Sequence, residues 1–293
     1  MKPLRTLEVL LERFENAESL DPVVAKVRGA VNSIIRPRAV RDALHGVPIG
    51  HPVHPLAAQV PLGAWVSSAF LDLLPGGDRA SRRLVALGVV SAVPAALAGY
   101  TDWSELHPQQ ARVGIIHSGA NLVAVGLYSA SYLQRRRGHL VSGKALGFAG
   151  LAVVAGAGFL GGHLSYRQAA GANHTEDVPH LFPTGWQSVA PLIEIPEGEL
   201  SRQDVAGQPL LMLRRGERVE VVSAVCSHLS GPLAEGELID GDGANPCVSC
   251  PWHSSVFELR TGEVVHGPAT APLPKFETRI DDGVLSVRLP GAG

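Results

Sequence analysis

Two short boxes in the last third of the chain hold the residues best suited to chemistry: Cys226-Ser227-His228 and Cys250-Pro251-Trp252-His253. Each supplies one thiolate and one imidazole. Ligands one residue apart on a loop can both face one centre, and a Cys-x-x-His loop can do the same from a second side. Two Cys and two His form the donor set of a two-iron, two-sulfide cluster, with thiolates on one iron and imidazoles on the other. Neutral imidazoles in place of two thiolates make such a cluster less negative and raise its potential. The same residues joined by Cys247, through Cys247-x-x-Cys250, would also suit tetrahedral Zn²⁺. The three cysteines (Cys226, Cys247 and Cys250) are odd in number and clustered, which argues against a disulfide framework and for metal ligation.

Loops of this kind need a rigid scaffold. From about residue 187 the chain runs in short alternating stretches, such as Val219-Glu220-Val221-Val222 and Val284-Leu285-Ser286-Val287. Turns such as Gly241-Asp242-Gly243 and Asp281-Asp282-Gly283 separate them, so a small all-β domain is expected over 187–293. Within it, residues 229–249 form a strand–turn–strand excursion that returns the second box to the first. A polar stretch at 167–186, bearing Gly and Pro, reads as a linker.

The rest of the chain is of a different kind. Its 293 residues leave room for two domains, and a net charge of −2 offers no basic face to nucleic acid. Only 18% of residues are charged, and the mean hydropathy is positive. Four apolar stretches account for this: about 55–74, 84–101, 113–134 and 145–166. Each is about long enough to cross a hydrocarbon core of ~30 Å as a helix. Asp72 is the one charge in the first of them, and Gly, Ala and Ser are frequent, as in closely packed membrane helices. The expected fold is therefore multidomain: an α-helical membrane bundle of four transmembrane helices (45–166) followed by the all-β domain. Ahead of it, 1–44 reads as an amphipathic helical segment broken at Asp21-Pro22, suited to docking or oligomerisation, or to a membrane surface. It lacks the basic start and unbroken apolar run of a cleavable signal.

The C-terminal segment closely resembles the Rieske ferredoxin family. CSHLSGPL and CPWHSSVFELRTGEVVHGPATAPLPKFETRIDDGVLSV match its two loops and the strands that follow, over roughly 187–290. The resemblance implies a Rieske-type 2Fe–2S cluster held by Cys226, His228, Cys250 and His253, with Ser255 able to donate a hydrogen bond toward it. It leaves Cys247 as a free thiol near the cluster. High-potential members of respiratory complexes carry two further, bridging cysteines. Gly231 and Trp252 stand in those places here, and Phe257 replaces a tyrosine hydroxyl. Fewer donors to the sulfurs imply a lower, ferredoxin-like potential. The span between the boxes is a few residues longer than usual, through Asp240-Gly241-Asp242-Gly243-Ala244-Asn245. Rieske oxygenases need a large iron-bearing domain after the cluster, whereas about forty residues follow His253. The implied role is a membrane-anchored one-electron carrier that works with a redox partner protein. Alternatives are a quinone- or haem-linked respiratory subunit, or an electron supplier to a separate oxygenase. His228 and His253 are expected at an exposed tip, as the exit for electrons.

Residues 45–57 with Val60-Pro61-Leu62-Gly63, and Gly161-Gly162-His163-Leu164-Ser165-Tyr166-Arg167, resemble an uncharacterised four-helix membrane family over roughly 40–175. That family opens its first helix with a His-Pro-x-x-His-Pro box. An up-down-up-down order puts His54, His117 and His163 at one membrane face. Ionisable groups at membrane depth are functional by default, so two of these three histidines are candidates for binding haem b or forming a quinone site. The location expected from this is a multi-pass position in a bacterial plasma membrane; nothing in the sequence sets an oligomeric state.

Overall fold

The structure, a computed structural model, describes residues 4–290; residues 1–3 and 291–293 of the expected terminal segments lie outside the described residues. It divides into two compact units. One takes in the residues up to Pro37 together with Pro52–Ala170; the other takes in Arg38–His51 and the residues from Gly171 onward.

The first unit is helical. Its elements are α1 (Leu4–Glu15) and α2 (Asp21–Ile34), then α4 (Val53–Asp72), α5 (Asp78–Trp103), α6 (Pro108–Arg136) and α7 (Leu140–Gly162). A single π turn, His163–Arg167, extends α7. The break read at Asp21-Pro22 is the start of α2, where proline's fixed φ suits the first helical turn. Leu11 of α1 packs with Val113, Leu160 and Leu164, and the Arg112 guanidinium pairs with Asp21 through two bonds of 2.7 Å. The N-terminal helices are thus part of this unit.

Three helices, Asp78–Trp103, Pro108–Arg136 and Leu140–Arg167, are long and apolar enough to cross a membrane. The expected fourth, α4, is long enough at 20 residues but not apolar enough to join them. His54, Gln59, Ser67, Ser68 and Asp72 dilute its apolar content, and Pro61 lies inside it. The box at its start also differs from the expected spacing, because His51-Pro52-Val53-His54-Pro55 has one residue between the two pairs, not two.

Helices α4 and α6 run parallel and in register. Three side-chain pairs join them at a constant offset of 63 residues: His54 with His117, Trp65 with Tyr128, and Asp72 with Arg135. Trp65 and Tyr128 stack with ring centres 4.2 Å apart. Arg135 grips Asp72 through two bonds of 2.6 Å in a fully buried setting, and also donates to Ser81 Oγ, Ser131 Oγ and Gly143 O. One charged knot thereby ties α4, α5, α6 and α7 together.

The second unit is β-rich. Its strands are β1 (Gln187–Pro191), β2 (Leu200–Val205), β3 (Gln208–Arg215), β4 (Arg218–Ser223), β5 (Glu237–Ile239), β6 (Cys247–Ser249), β7 (Val256–Glu258), β8 (Val264–His266), β9 (Lys275–Asp281) and β10 (Val284–Arg288). They form a six-stranded sheet, β1-β10-β9-β4-β3-β2, and a four-stranded sheet, β5-β6-β7-β8. Leu210 and Met212 enter one core with Phe276 and Leu285; Leu211 and Leu213 enter another with Val248, Phe257 and Leu259. Alternate residues of β3 point to opposite faces, so its unbroken apolar run serves both cores.

The helix α3 (Arg38–His45) and a following 3₁₀ turn (Val47–Ile49) also belong to this unit. The expected boundary at residue 44 thus falls inside a segment that packs as one piece. His45 is buried, and Asp42 is tied to the chain just after β8. The short helix α8 (Val178–Leu181) adds Val178 and Phe182 to the core with Phe276, so part of the expected linker is built into the β unit.

Candidate metal centre

The two boxes fold into loops of the same form. In Cys226–Gly231, the Cys226 N–H donates to Gly231 O at 2.9 Å and the Ser230 N–H to Cys226 O at 3.0 Å. In Cys250–Ser255, the Cys250 N–H donates to Ser255 O at 2.8 Å and the Ser254 N–H to Cys250 O at 3.0 Å. Ser230 and Ser254 close their loops with φ of 61° and 58°. These left-handed positions cost an ordinary residue free energy, and they persist where the surrounding structure fixes them. The first loop follows β4 and the second joins β6 to β7, so each sheet presents one loop.

This arrangement sorts the donors by type. The thiols of Cys226 and Cys250 lie within hydrogen-bonding reach of each other. The rings of His228 and His253 have centres 5.1 Å apart with planes at 89°. Backbone N–H groups of His228 and Leu229 point at the Cys226 sulfur, and those of Trp252 and His253 at the Cys250 sulfur. The hydrogen bond from Cys226 brings the Cys250 thiol down to about 6, against its burial and with help from those N–H groups. The same bond, with burial, pushes the Cys226 thiol up. The pair therefore surrenders a first proton easily.

Gly231 completes the cradle. A Cβ there would lie 2.6 Å from the Cys250 sulfur and 3.5 Å from the Trp252 ring, so only glycine leaves the thiols room. Gly231 and Trp252 therefore face one another, at the two places that the family resemblance gives to bridging cysteines. Among the described residues, no three His, Cys, Asp or Glu side chains converge on a single ion position. Two thiols together on one side and two imidazoles together on the other fit a two-iron cluster that takes thiolates at one end and imidazoles at the other. Cys247 sits on β6 with its Sγ 3.4 Å from Asn245 O, and burial raises its thiol pKa.

Ser255 is fully buried, and its Oγ accepts the Ala269 N–H at 3.0 Å, joining the second loop to the Gly267-Pro268-Ala269 turn. Two further contacts were not legible in the motifs. The His174 N–H donates to Ser227 O at 2.9 Å, and its ring pairs with Ser230 Oγ at 3.0 Å. Arg38 donates to Ser254 O at 3.2 Å. The expectation that both cluster histidines lie exposed is half corrected: His228 is only 9% exposed, with the His174 segment bonded to its loop, while His253 is half-buried beside Trp252, 48% exposed.

The expected trio of membrane histidines is also divided. His163 is buried and bonded through Nε2 to Glu15 at 2.8 Å, an attachment for α1. His54 and His117 lie together, with ring centres 6.3 Å apart and planes at 88°.

Two loops, one contributing Cys and His at i and i+2 and the other at i and i+3, gather a two-Cys, two-His donor set of the kind an iron–sulfur protein uses. The chain belongs to the Rieske 2Fe–2S family: residues 185–277 match the Rieske 2Fe–2S domain, which implies a 2Fe–2S cluster. Residues 50–174 match a second family, described as "Predicted membrane protein (DUF2231)". The anthranilate 1,2-dioxygenase ferredoxin subunit of Burkholderia cepacia is 30% identical over 104 residues, 36% of this chain and 92% of that protein. The 3-phenylpropionate/cinnamic acid dioxygenase ferredoxin subunit of Escherichia coli (strain K12) is 33% identical over 103 residues, 35% and 92% respectively. Among solved structures, the ferredoxin of carbazole 1,9a-dioxygenase from Nocardioides aromaticivorans IC177 is 26% identical, with a TM-score of 0.33, over 36% of this chain and 99% of that one.

Proposed function

We propose that the protein is a membrane-anchored one-electron carrier in which Cys226, His228, Cys250 and His253 hold the Rieske cluster. The observation that carries this reading is the pair of matching loops, which gathers two thiols at one side and two imidazoles at the other. The cluster supplies one-electron chemistry when bound. The chain's own residues hold it, aim four N–H groups at its thiolates, and leave His253 and Trp252 as the face toward a redox partner protein. Gly231 and Trp252 in place of bridging cysteines, and the buried phenyl of Phe257, favour a ferredoxin-like potential over a quinol-oxidising one. The named relatives are ferredoxin subunits of dioxygenases, which supports a separate oxygenase as one class of acceptor. The anchor is the helical unit, with α4 as a fourth crossing helix beside the three long apolar ones, in a bacterial plasma membrane. Among the described residues, the pair His54 and His117 is the candidate place for a second redox group such as haem b.

Iron and sulfide analysis of the purified full-length protein, with redox-monitored electron paramagnetic resonance, tests the reading. Two sulfides and two non-haem irons per chain with a low midpoint support it. A strongly positive midpoint overturns the ferredoxin-like role, and zinc in place of iron overturns the cluster.

A further inference from the structure

The helical unit is a repeat of two helical hairpins. The 63-residue offset that relates α4 to α6 becomes 62 between α5 and α7, so Gly88, Ala95 and Gly99 correspond to Gly150, Ala157 and Gly161. Equivalent residues make equivalent contacts. His54 Nδ1 is 2.8 Å from Ala95 O, and His117 Nδ1 is 2.8 Å from Ala157 O. A Cβ at Gly99 would strike the His54 ring at 2.6 Å, and one at Gly161 would come within 3.2 Å of the His117 ring. Trp65 likewise lies against Gly88, and Tyr128 against Gly150. The two histidines are thus related by a pseudo-two-fold axis along the bundle.

The carbonyl partners fix the chemistry of both rings. A carbonyl oxygen only accepts, so each Nδ1 carries the proton, and in the neutral ring each Nε2 carries the lone pair. At His117 the lone pair meets the Asn121 amide, Nδ2 to Nε2, at 3.1 Å. A histidine whose Nδ1–H is anchored on a backbone carbonyl has the tautomer and orientation of a metal ligand. The separation agrees. Metal–nitrogen bonds of about 2.0–2.1 Å, with roughly 1.2 Å from each nitrogen to its ring centre, put two imidazoles facing one another across a metal about 6.4–6.6 Å apart between centres. The observed distance is 6.3 Å.

We propose that His54 and His117 coordinate one metal centre between them through Nε2, one from each hairpin. Two donors are all the site offers, since no third His, Cys, Asp or Glu joins them among the described residues. A bare divalent ion seeks about four ligands. Haem iron brings four nitrogens of its own and needs only two axial partners, so haem is the occupant the site fits. Binding displaces the Asn121 amide from His117.

The test uses the full-length protein, expressed with haem precursor and purified in detergent. The expected result is a Soret band, an α-band on dithionite reduction and a low-spin ferric signal, at one haem per chain by pyridine haemochrome. His54→Ala and His117→Ala should each abolish the low-spin signal, while His163→Ala keeps it. The cluster signal of the second unit is recorded in every sample and shows that each variant was produced and loaded. Zinc or copper bound at one equivalent, and lost in both His54→Ala and His117→Ala, would support the bis-imidazole site with a free ion as its source. Haem retained in both variants would overturn the proposal, as would neither haem nor any metal beyond the cluster iron in the unsubstituted protein.

Discussion

The carboxylate of Asp42 accepts two hydrogen bonds from consecutive residues at the end of β8: His266 Nδ1 at 2.9 Å and the Gly267 N–H at 3.0 Å. Gly267 begins the turn whose Ala269 N–H is held by Ser255 of the second cluster loop. A helix distant in sequence thus fixes the turn behind the metal centre. Hydrogen bonds to a charged group contribute about 1.5–3 kcal/mol each, and leaving buried donors unmade costs about as much. Asp42→Ala should therefore destabilise the β unit by about 2 kcal/mol and speed hydrogen exchange at the Gly267 amide. Asp42→Asn should cost less. Unchanged exchange at Gly267 would show that α3 does not brace the turn.

Gly231→Ala should be more damaging than a methyl group suggests. The added carbon would sit 2.6 Å from the Cys250 sulfur and close to the Trp252 ring, in a turn with little slack. The expected outcome is a sharp fall in cluster iron per chain, with the far-ultraviolet circular dichroism of the full-length protein kept. His253→Ala should abolish the Rieske spectrum outright, and an unchanged spectrum would refute that ligand assignment.

Ser255→Ala separates loop support from tuning. The hydroxyl accepts from Ala269 and still has a proton to donate, which the family resemblance directs toward the cluster. Losing about 1 kcal/mol of preference for the reduced state lowers a one-electron potential by ~40 mV. A cluster that survives with a midpoint lowered by roughly that amount is expected. A survivor with an unshifted midpoint would confine Ser255 to holding the turn.

How much of this was legible in sequence depended on the distance over which partners had to be recognised. The Cys–His boxes are local, so the ligand candidates could be read directly. The apolar runs gave the long helices for the same reason. His163 could not be assigned, because its partner Glu15 lies 148 residues away on an amphipathic helix that also suits a surface role. Arg38–His45 has the charges of a solvated helix; only the fold reveals Asp42 facing Gly267. The repeat was hidden because its equivalent positions differ in kind. Trp65 answers to Tyr128, Asp72 to Arg135 and Ser81 to Gly143, and the offset slips by one residue between the hairpins.

Asp72 and Arg135 offer a double-mutant test of the charged knot. Their side chains are 2% and 0% exposed, and the pairing is bidentate. Removing one partner leaves a buried, uncompensated charge and costs about 3–5 kcal/mol, whereas replacing both with apolar residues of similar volume is often close to neutral. Asp72→Leu and Arg135→Met should each lower thermal stability in detergent steeply, and the double variant should recover much of the loss. Additive losses would mean that Ser81, Ser131 and Gly143 satisfy Arg135 without the carboxylate.

Acid should loosen the N-terminal helices before it unfolds the bundle. The hydrogen bonds from Arg112, aided by its charge and opposed by slight desolvation, hold the Asp21 carboxyl below the usual carboxylate range. A group whose pKa is depressed by folding adds stability that is complete above its unfolded value, near 4, and is lost as pH falls through the lower folded value. Docking of α2 should therefore be independent of pH from 7 down to about 5 and weaken below about 4. Asp21 is half exposed, so added salt should weaken the attachment modestly at neutral pH as well. Exchange protection of the α2 amides, corrected for intrinsic rates, measures this. In Asp21→Asn the protection should be lower at neutral pH and flat across the acid range; a transition that persists in that variant would place the acid-sensitive group elsewhere.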